Sequence, residues 1–103
     1  MLEETHKNAQ KILNAGCKLL TLGGDHTIPY GMVRAASEKY GKLALIHFDS
    51  HQDSIPSVDG NVFHANFAYD LQEEGCIDPA HSVQVFIRTE MTKCGYNIFY
   101  AQD

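Results

Sequence analysis

The chain has 103 residues with 44% hydrophobic content, which fits at most one small globular domain with a core of modest size. Its 13 acidic and 8 basic residues give a formal net charge of -5 without a basic stripe, so we expect no nucleic-acid partner. The sequence opens polar and acidic and has no apolar run long enough to span a membrane. We therefore expect no signal peptide, no membrane partner and a cytoplasmic location.

Helix and strand signals alternate along the first part of the chain. The first helix is predicted from about Leu2 to Asn14, because Ala9, Ile12 and Leu13 lie on one side of it, and it is expected to end near Gly16. The apolar run Cys17–Leu22 then predicts the first strand.

A second helix is predicted after Thr27, whose hydroxyl can cap it, since Pro29 is tolerated in a first helical turn and Gly41 can end the helix. The segment from Lys42 to Phe48 is expected to form the next strand. Residues that recur every four positions predict the buried face of the helix, namely Ile28, Met32, Ala36 and Tyr40.

The second half of the chain continues the alternation. Residues Ser54 to Asn61 are expected to form a loop, and Phe63 to Glu74 a helix that Gly75 ends. The segment from Ser82 to Ile87 predicts another strand, and Asn97 to Tyr100 the beginning of one more element.

This alternation predicts an α/β fold, in which right-handed crossovers join parallel strands and helices cover the sheet. A small number of parallel strands exposes apolar edges, and such edges favour pairing with other chains. We therefore expect the isolated chain to self-associate or to be poorly soluble.

Carboxylates and a histidine follow the strand that ends at Phe48. Asp49, His51 and Asp53 alternate, so their side chains point to one face if the backbone stays extended. His26 follows the first predicted strand, and ligands in open α/β sheets bind at the carboxyl ends of strands. Mixed carboxylate and imidazole ligation suits Mn²⁺, Zn²⁺ or Fe²⁺ better than Ca²⁺ or Cu⁺. The sequence therefore predicts a metal site at this edge of the sheet.

Several motifs together resemble the ureohydrolases, the family of arginases and agmatinases, and within it the bacterial agmatinases most. The match in order and spacing runs from Leu22 to about Glu90. The motifs that carry it are Gly23-Gly24-Asp25-His26, Asp49-Ser50-His51-Gln52-Asp53, Glu73-Glu74-Gly75, Ile77-Asp78-Pro79-Ala80-His81-Ser82-Val83-Gln84 and Ile87-Arg88-Thr89-Glu90.

The resemblance implies a three-layer α/β/α fold with a parallel sheet and a homo-oligomeric assembly. It also implies a site with two manganese ions that activates a bridging water for attack on a guanidinium carbon. An agmatinase converts agmatine and water to putrescine and urea, so the expected substrate is a small guanidino compound of the agmatine type.

Carried over by position, the resemblance makes His26 a ligand of one manganese and His51 a ligand of the other. Asp49 would bridge both ions and Asp53 would hold the first. His64 is the candidate for proton transfer, because the family has a histidine some dozen residues after its Asp-x-His-x-Asp motif.

The chain departs from the family pattern at several positions. Ser50 and Gln52 stand where the family usually has Ala and Thr, and they are expected to face away from the ligands. His64 is followed by Ala65 where the family has Gly. Phe86 replaces a Gly of the family's Val-Gln-Ile-Gly-Ile-Arg strand, so we expect altered packing there.

Residues 1–103 are interpreted as a partial ureohydrolase domain, which lacks the family's N-terminal segment and its C-terminal metal-binding half. The family's second metal motif, a Ser-x-Asp-x-Asp strand end, lies in the part that is lacking. The four ligands named above are too few to close a two-metal site. The isolated chain is therefore expected to be inactive, and to associate with the missing half.

Two alternatives remain open from the sequence. The chain could be a truncated, non-catalytic ureohydrolase homologue that acts by binding metal or by pairing with an intact relative. A two-metal phosphoesterase is the other, although Gly60-Asn61-Val62-Phe63-His64 matches the motifs of those enzymes poorly. Taken singly, His26 could be a turn residue and His64 could flank the helix that begins near Phe63.

Overall fold

A three-stranded parallel sheet organises the chain, and helices pack against it. The structure is a computed structural model that describes residues 2–102. None of the helices in this range is long and apolar enough to cross a membrane. The elements in chain order are α1 (Leu2–Asn14), α2 (Ile28–Tyr40), β1 (Ile46–Phe48), α3 (Phe67–Glu73), a short 3-10 turn (Pro79–His81), β2 (Val83–Ile87) and β3 (Asn97–Tyr100).

The strands lie in the order β1-β2-β3, and both pairings are parallel, so the predicted α/β class with a parallel sheet is confirmed. Residues in register on neighbouring strands point to the same side of the sheet. One side carries the row His47, Gln84 and Ile98, which faces the helices, and the other carries the row Phe48, Val85 and Phe99.

The main core lies between the sheet and helices α2 and α3. Burial of a Phe or Leu side chain stabilises a fold by about 1.5–3 kcal/mol, so Phe67 and Leu71 of α3 dominate this layer. The opposite side of the sheet is open, since Ile46 and Phe48 are 68% and 66% exposed. The buried members of the core are Phe67, Ala68, Leu71, Ile77 and Tyr96.

Helix α1 has the predicted bounds and packs on α2 through a second small cluster of Ala9, Leu13 and Ala35. The two helices come close at Gly31, where an added Cβ would lie 2.7 Å from Thr5 Oγ1 and 3.1 Å from the His6 backbone nitrogen. A side chain at position 31 would therefore force Thr5 or the α1 backbone to shift, and glycine allows the close crossing without that shift.

The predicted strand Cys17–Leu22 is wrong, because residues 17–22 form no strand in the structure. Leu20 and Leu22 are 88% and 93% exposed. An apolar run becomes a strand only when its backbone finds a partner, and within residues 2–102 strand β1 pairs with β2 alone. Leu19 still packs against the α1–α2 cluster.

The predicted buried face of α2 is displaced by one residue. The structure buries Gly31 and Ala35. Of the predicted face, Met32 and Ala36 are partly buried against the α1–α2 cluster, whereas Tyr40 is exposed. The reason is that α2 contacts α1 along Gly31 and Ala35 and contacts the main core through Tyr30 and Val33. A helix between two layers has no single four-residue stripe.

Helix α3 begins at Phe67, four residues later than predicted. The side chain of Asn66 holds the preceding segment in a loop, because its Oδ1 accepts from the Phe63 backbone N–H at 2.9 Å and its Nδ2 donates to the Asn61 carbonyl at 3.0 Å. Gly75 follows the helix at φ 77°, as expected for a C-terminal stop.

Strand β1 is also shorter than predicted, since it begins at Ile46 and not at Lys42. Leu43 forms only an isolated parallel bridge with Ile77. The tail residues Asn97–Tyr100, which were expected to begin another element, form the complete strand β3.

Phe86 interrupts strand β2 with a bulge. Its φ is 68°, in the left-handed region, and the β2–β3 register shifts between Val85 and Ile87. Its side chain is 59% exposed, and its ring centroid lies 6.0 Å from that of Phe48. A non-glycine residue in this conformation costs about 1–2 kcal/mol, whereas Gly adopts it readily.

We expect Phe86→Gly to be more stable than Phe86→Ala by about 1 kcal/mol, because both variants lose the ring but only the Gly variant loses the strained Cβ. The free energy of unfolding of the two variants in urea measures the difference. Val85 is the matched control, since its φ is not positive and the order should reverse there. Equal stability of Phe86→Gly and Phe86→Ala would contradict the assignment of strain.

Candidate metal centre

Asp49 lies directly beyond β1 and extends its pairing by one residue. Its backbone N–H donates to the Val85 carbonyl at 3.2 Å, and its Oδ1 then accepts from the His51 backbone N–H at 2.9 Å. This side-chain-to-backbone bond bends the chain, and Asp53 has φ 50°. The backbone of residues 49–53 therefore does not stay extended, and the condition under which Asp49, His51 and Asp53 would share one face is not met.

His26 is positioned by the turn before α2. The Asp25 carboxylate accepts from the Thr27 backbone N–H at 2.9 Å and from the Thr27 hydroxyl. These bonds lower the pKa of Asp25, with the Thr27 hydroxyl contributing most. Asp25 thus holds the start of the helix, and the predicted capping by the Thr27 hydroxyl is wrong.

Four side chains converge where these two segments meet. His26 Nδ1 lies 2.6 Å from Asp53 Oδ2 and 3.1 Å from Asp49 Oδ2, and His47 Nε2 lies 3.3 Å from the same Asp49 oxygen. One ligand atom from each of the four residues falls within 4.8 Å of the others. The structure therefore brings together three of the predicted ligands, His26, Asp49 and Asp53, and adds His47.

Sequence reasoning missed His47 because it lies inside the apolar run of β1. The signal that could have found it is its spacing, two residues before Asp49 on the same side of the strand. In the structure His47 is buried, and its ring centroid lies 5.2 Å from that of Phe67. The His26 ring contacts Phe67 as well, at 5.5 Å.

The electrostatics of the cluster follow from this half-buried setting. Burial lowers the pKa of His47, although the Asp49 and Asp53 charges oppose the shift. Burial alone would raise the pKa of Asp49, but the His51 backbone N–H together with the His47 and His26 imidazoles brings that pKa below its ordinary value. Asp49 is therefore an anion at neutral pH.

His51 lies on the other side of the Asp49 carboxylate. Its Nδ1 is 3.4 Å from Asp49 Oδ1 and 3.1 Å from the Ser50 hydroxyl oxygen, and its side chain is 61% exposed. The structure does not place His51 in the cluster of four. Asp49 instead directs Oδ2 toward His26 and His47, and Oδ1 toward His51.

His64 lies at the rim of the site. It lines a cavity of about 120 Å³ together with His51, Asp53, Ala65 and Met91. The sequence-predicted proton-transfer residue thus borders two of the predicted ligands. Gln52, which lies between those ligands in sequence, is fully buried, and neither polar atom of its side chain has a hydrogen-bond partner among the described residues.

The donor set fits a divalent transition metal. Ligands of a single ion with bonds of about 2.0–2.2 Å lie about 3 Å apart, which is close to the 2.6 Å and 3.1 Å that separate His26 Nδ1 from the carboxylate oxygens of Asp53 and Asp49. Two carboxylates with imidazole suit manganese, zinc or iron. Asp49 offers a second oxygen for a neighbouring ion.

Known proteins resemble this chain in sequence and in structure. A model of the arginase family matches residues 1–102. The agmatinase of Shigella sonnei is 45% identical over 94 residues, which make up 90% of this chain and 30% of that protein. A crystal structure of a hypothetical agmatinase from Burkholderia thailandensis has a TM-score of 0.94 at 40% identity, and the match covers 98% of this chain and 32% of that chain.

A further solved structure, the proclavaminate amidino hydrolase from Streptomyces clavuligerus, has a TM-score of 0.87 at 26% identity and covers 98% of this chain and 37% of that one. The matched part of this chain spans 30% of the length of the Shigella sonnei agmatinase. The predicted arginase-like α/β fold is confirmed by these structures. Because the family model covers nearly all of its residues, the chain belongs to the arginase family.

Proposed function

We propose that this chain carries part of the active site of a manganese-dependent amidinohydrolase of the agmatinase type, which converts agmatine and water to putrescine and urea. The observation that supports it best is the convergence of His26, Asp49 and Asp53, with His51 at the second oxygen of Asp49. The likeness to the agmatinases of Shigella sonnei and Burkholderia thailandensis supports the choice of substrate class.

The arrangement supports a division of roles among the ligands. His26 and Asp53 would hold one ion, His51 would hold the other, and Asp49 would contribute one oxygen to each. Two bound divalent cations supply an activated water at neutral pH. The side chains of this chain contribute the orientation and the negative charge that keep the cations in place.

His64 and the carboxylates give the rim of the site its chemistry. His64 is exposed beside the cavity that His51 and Asp53 also line, so its imidazole can exchange protons with solvent and with a molecule bound there. Asp53 lines the same cavity and Asp49 lies beside it in the cluster, and two neighbouring carboxylates favour a cationic guanidinium over a neutral or anionic substrate.

This chain by itself is proposed to be inactive. The groups named above supply few protein ligands for two ions, and the chain spans 30% of the length of its agmatinase relative. The remaining ligands would come from the complementary part of an agmatinase, whether in the same polypeptide or in a separate one.

We expect urea to form from agmatine only when this chain, Mn²⁺ and a polypeptide with the remaining part of the Shigella sonnei agmatinase are present together. His51→Ala should abolish the urea, because it removes a predicted ligand. His81→Ala should leave it unchanged, since His81 pairs with Asp78 outside the site. A colorimetric urea assay measures both. Association with the partner polypeptide without urea in any reconstitution would instead favour the non-catalytic alternative.

We expect Asp53→Asn to lower the Mn²⁺ affinity of the chain at least about tenfold, because a neutral amide replaces a charged ligand. Free Mn²⁺ can be followed by electron paramagnetic resonance during titration. Asp78→Asn is the matched control, since Asp78 Oδ2 also faces a histidine, His81 Nδ1 at 2.7 Å, but lies outside the cluster. Equal affinities for the two variants would contradict the assignment of Asp53.

The open side of the sheet supports self-association. Phe48, Phe86 and Phe99 are exposed on it, and a contiguous apolar patch of this kind favours pairing with a second copy of the chain. The covering partner in a complete enzyme would be other parts of the family fold.

We expect the sedimentation coefficient of the chain to rise with concentration, and to rise less in Phe99→Ser, because the substitution makes the patch more polar. Val58→Ser is the control, since Val58 is 71% exposed but lies in the loop before α3. A single monomeric species at all concentrations in sedimentation velocity would contradict the proposal of self-association.

A further inference from the structure

A buried polar row lies beneath the carboxylates of the metal centre. Gln84 on β2 is fully buried and stands in register with His47 on β1. Its Nε2 lies 2.6 Å from the backbone carbonyl oxygen of Gln52 and 3.0 Å from His47 Nδ1. Its Oε1 has no hydrogen-bond partner among residues 2–102. The Gln84 amide nitrogen therefore connects His47 with the backbone of Gln52.

The carbonyl of Gln52 determines which way the Gln84 amide points. A backbone carbonyl can only accept, so the Gln84 atom at 2.6 Å from it must be the nitrogen. The reversed amide would bring two acceptor oxygens into contact at that distance. Gln84 Nε2 therefore also donates to His47, and His47 Nδ1 must carry a lone pair.

A histidine that accepts at Nδ1 carries its proton on Nε2. His47 Nε2 faces Asp49 Oδ2 at 3.3 Å, so the ring donates to the carboxylate. We propose that His47 is a positioning residue that orients Asp49 through this hydrogen bond, that it is not itself a metal ligand, and that Gln84 sets its tautomer. The inference about Asp49 as a ligand rests on the proposed function, whereas the tautomer does not.

With the hydrogen bond from His47, each carboxylate oxygen of Asp49 has a donor. The His51 backbone N–H holds Oδ1, and His47 holds Oδ2 on the side of His26. The Phe67 ring packs against the His47 imidazole and fixes its plane. A ligating carboxylate held in this way has a defined direction before any ion binds, and partners of this kind typically change metal affinity by about 10–100-fold.

The tautomer can be measured in the metal-free protein. Long-range ¹H–¹⁵N spectra of the full chain at mildly alkaline pH should show the His47 proton on Nε2. His81 is the internal contrast, because its Nδ1 faces the Asp78 carboxylate, which can only accept. A His47 proton on Nδ1 would overturn the proposal. In Gln84→Met, which removes the donor but keeps the length of the side chain, the preference for Nε2 should weaken.

Zinc, which is diamagnetic, then tests whether His47 is a ligand. On addition of Zn²⁺, the ring nitrogen signals of His26 should shift, whereas His47 should keep its Nε2 proton. Loss of that proton on zinc binding would overturn the proposal. Failure of His26 to shift would count against the proposed function instead, and the metal-free tautomer would still decide the present inference.

Two variants of His47 separate hydrogen bonding from packing. His47→Gln can donate to Asp49 through its amide and should keep most of the Zn²⁺ affinity, whereas His47→Phe fills the space without a donor and should lose about 10–100-fold. Circular dichroism shows whether each variant folds. If both variants fold and keep the Zn²⁺ affinity of the unsubstituted chain, a positioning role is contradicted. If both fold and lose Zn²⁺ affinity to the same extent, His47 is a ligand.

Discussion

The parallel pairing of β1 with β2 is the constraint on which the site depends. It places His47 beside Gln84 and carries on for one residue, through the bond from the Asp49 backbone N–H to the Val85 carbonyl. The backbone of Asp49 is thus hydrogen-bonded to the sheet, while its two carboxylate oxygens can contact groups on either side. Without this pairing, Asp49 would lose the backbone hydrogen bond that fixes its position between His26 and His51.

The helices complete what the sheet begins. Phe67 of α3 lies against both histidine rings, so one aromatic side chain belongs to the main core and also borders the candidate metal centre. The turn before α2 brings His26 to the same place through the hydrogen bonds of Asp25 with Thr27. Stability and ligand geometry are therefore coupled here, because the groups that bury apolar surface also hold the imidazoles.

Two features that lower the stability of the fold lie close to the candidate metal centre. Phe86 takes a left-handed backbone conformation at a bulge, where glycine would be unstrained. Gln52 and Gln84 have buried side-chain atoms that find no hydrogen-bond partner in the part of the chain that the structure describes. Bulges and buried polar groups are common beside functional sites, where they set the direction of strand ends and side chains. In this chain Gln84 and Phe86 lie on β2, next to the strand that ends before Asp49, and Gln52 directly precedes Asp53.

Local periodicity and motif spacing were enough to predict the helix or strand type of α1, α2, β1, α3 and β2, the parallel α/β class and the grouping of His26, Asp49 and Asp53. They were not enough to predict whether residues 17–22 pair as a strand, which face α2 buries, or that α3 begins only at Phe67. The place of His47 in the cluster and the outward position of His51 were also decided only by tertiary structure. The place of His47 depends on partners distant in sequence, Gln84 and Phe67, and no local pattern contains them. The start of α3 and the position of His51 depend on short-range bonds from the side chains of Asn66 and Asp49 to the backbone, which hydrophobic periodicity does not reveal.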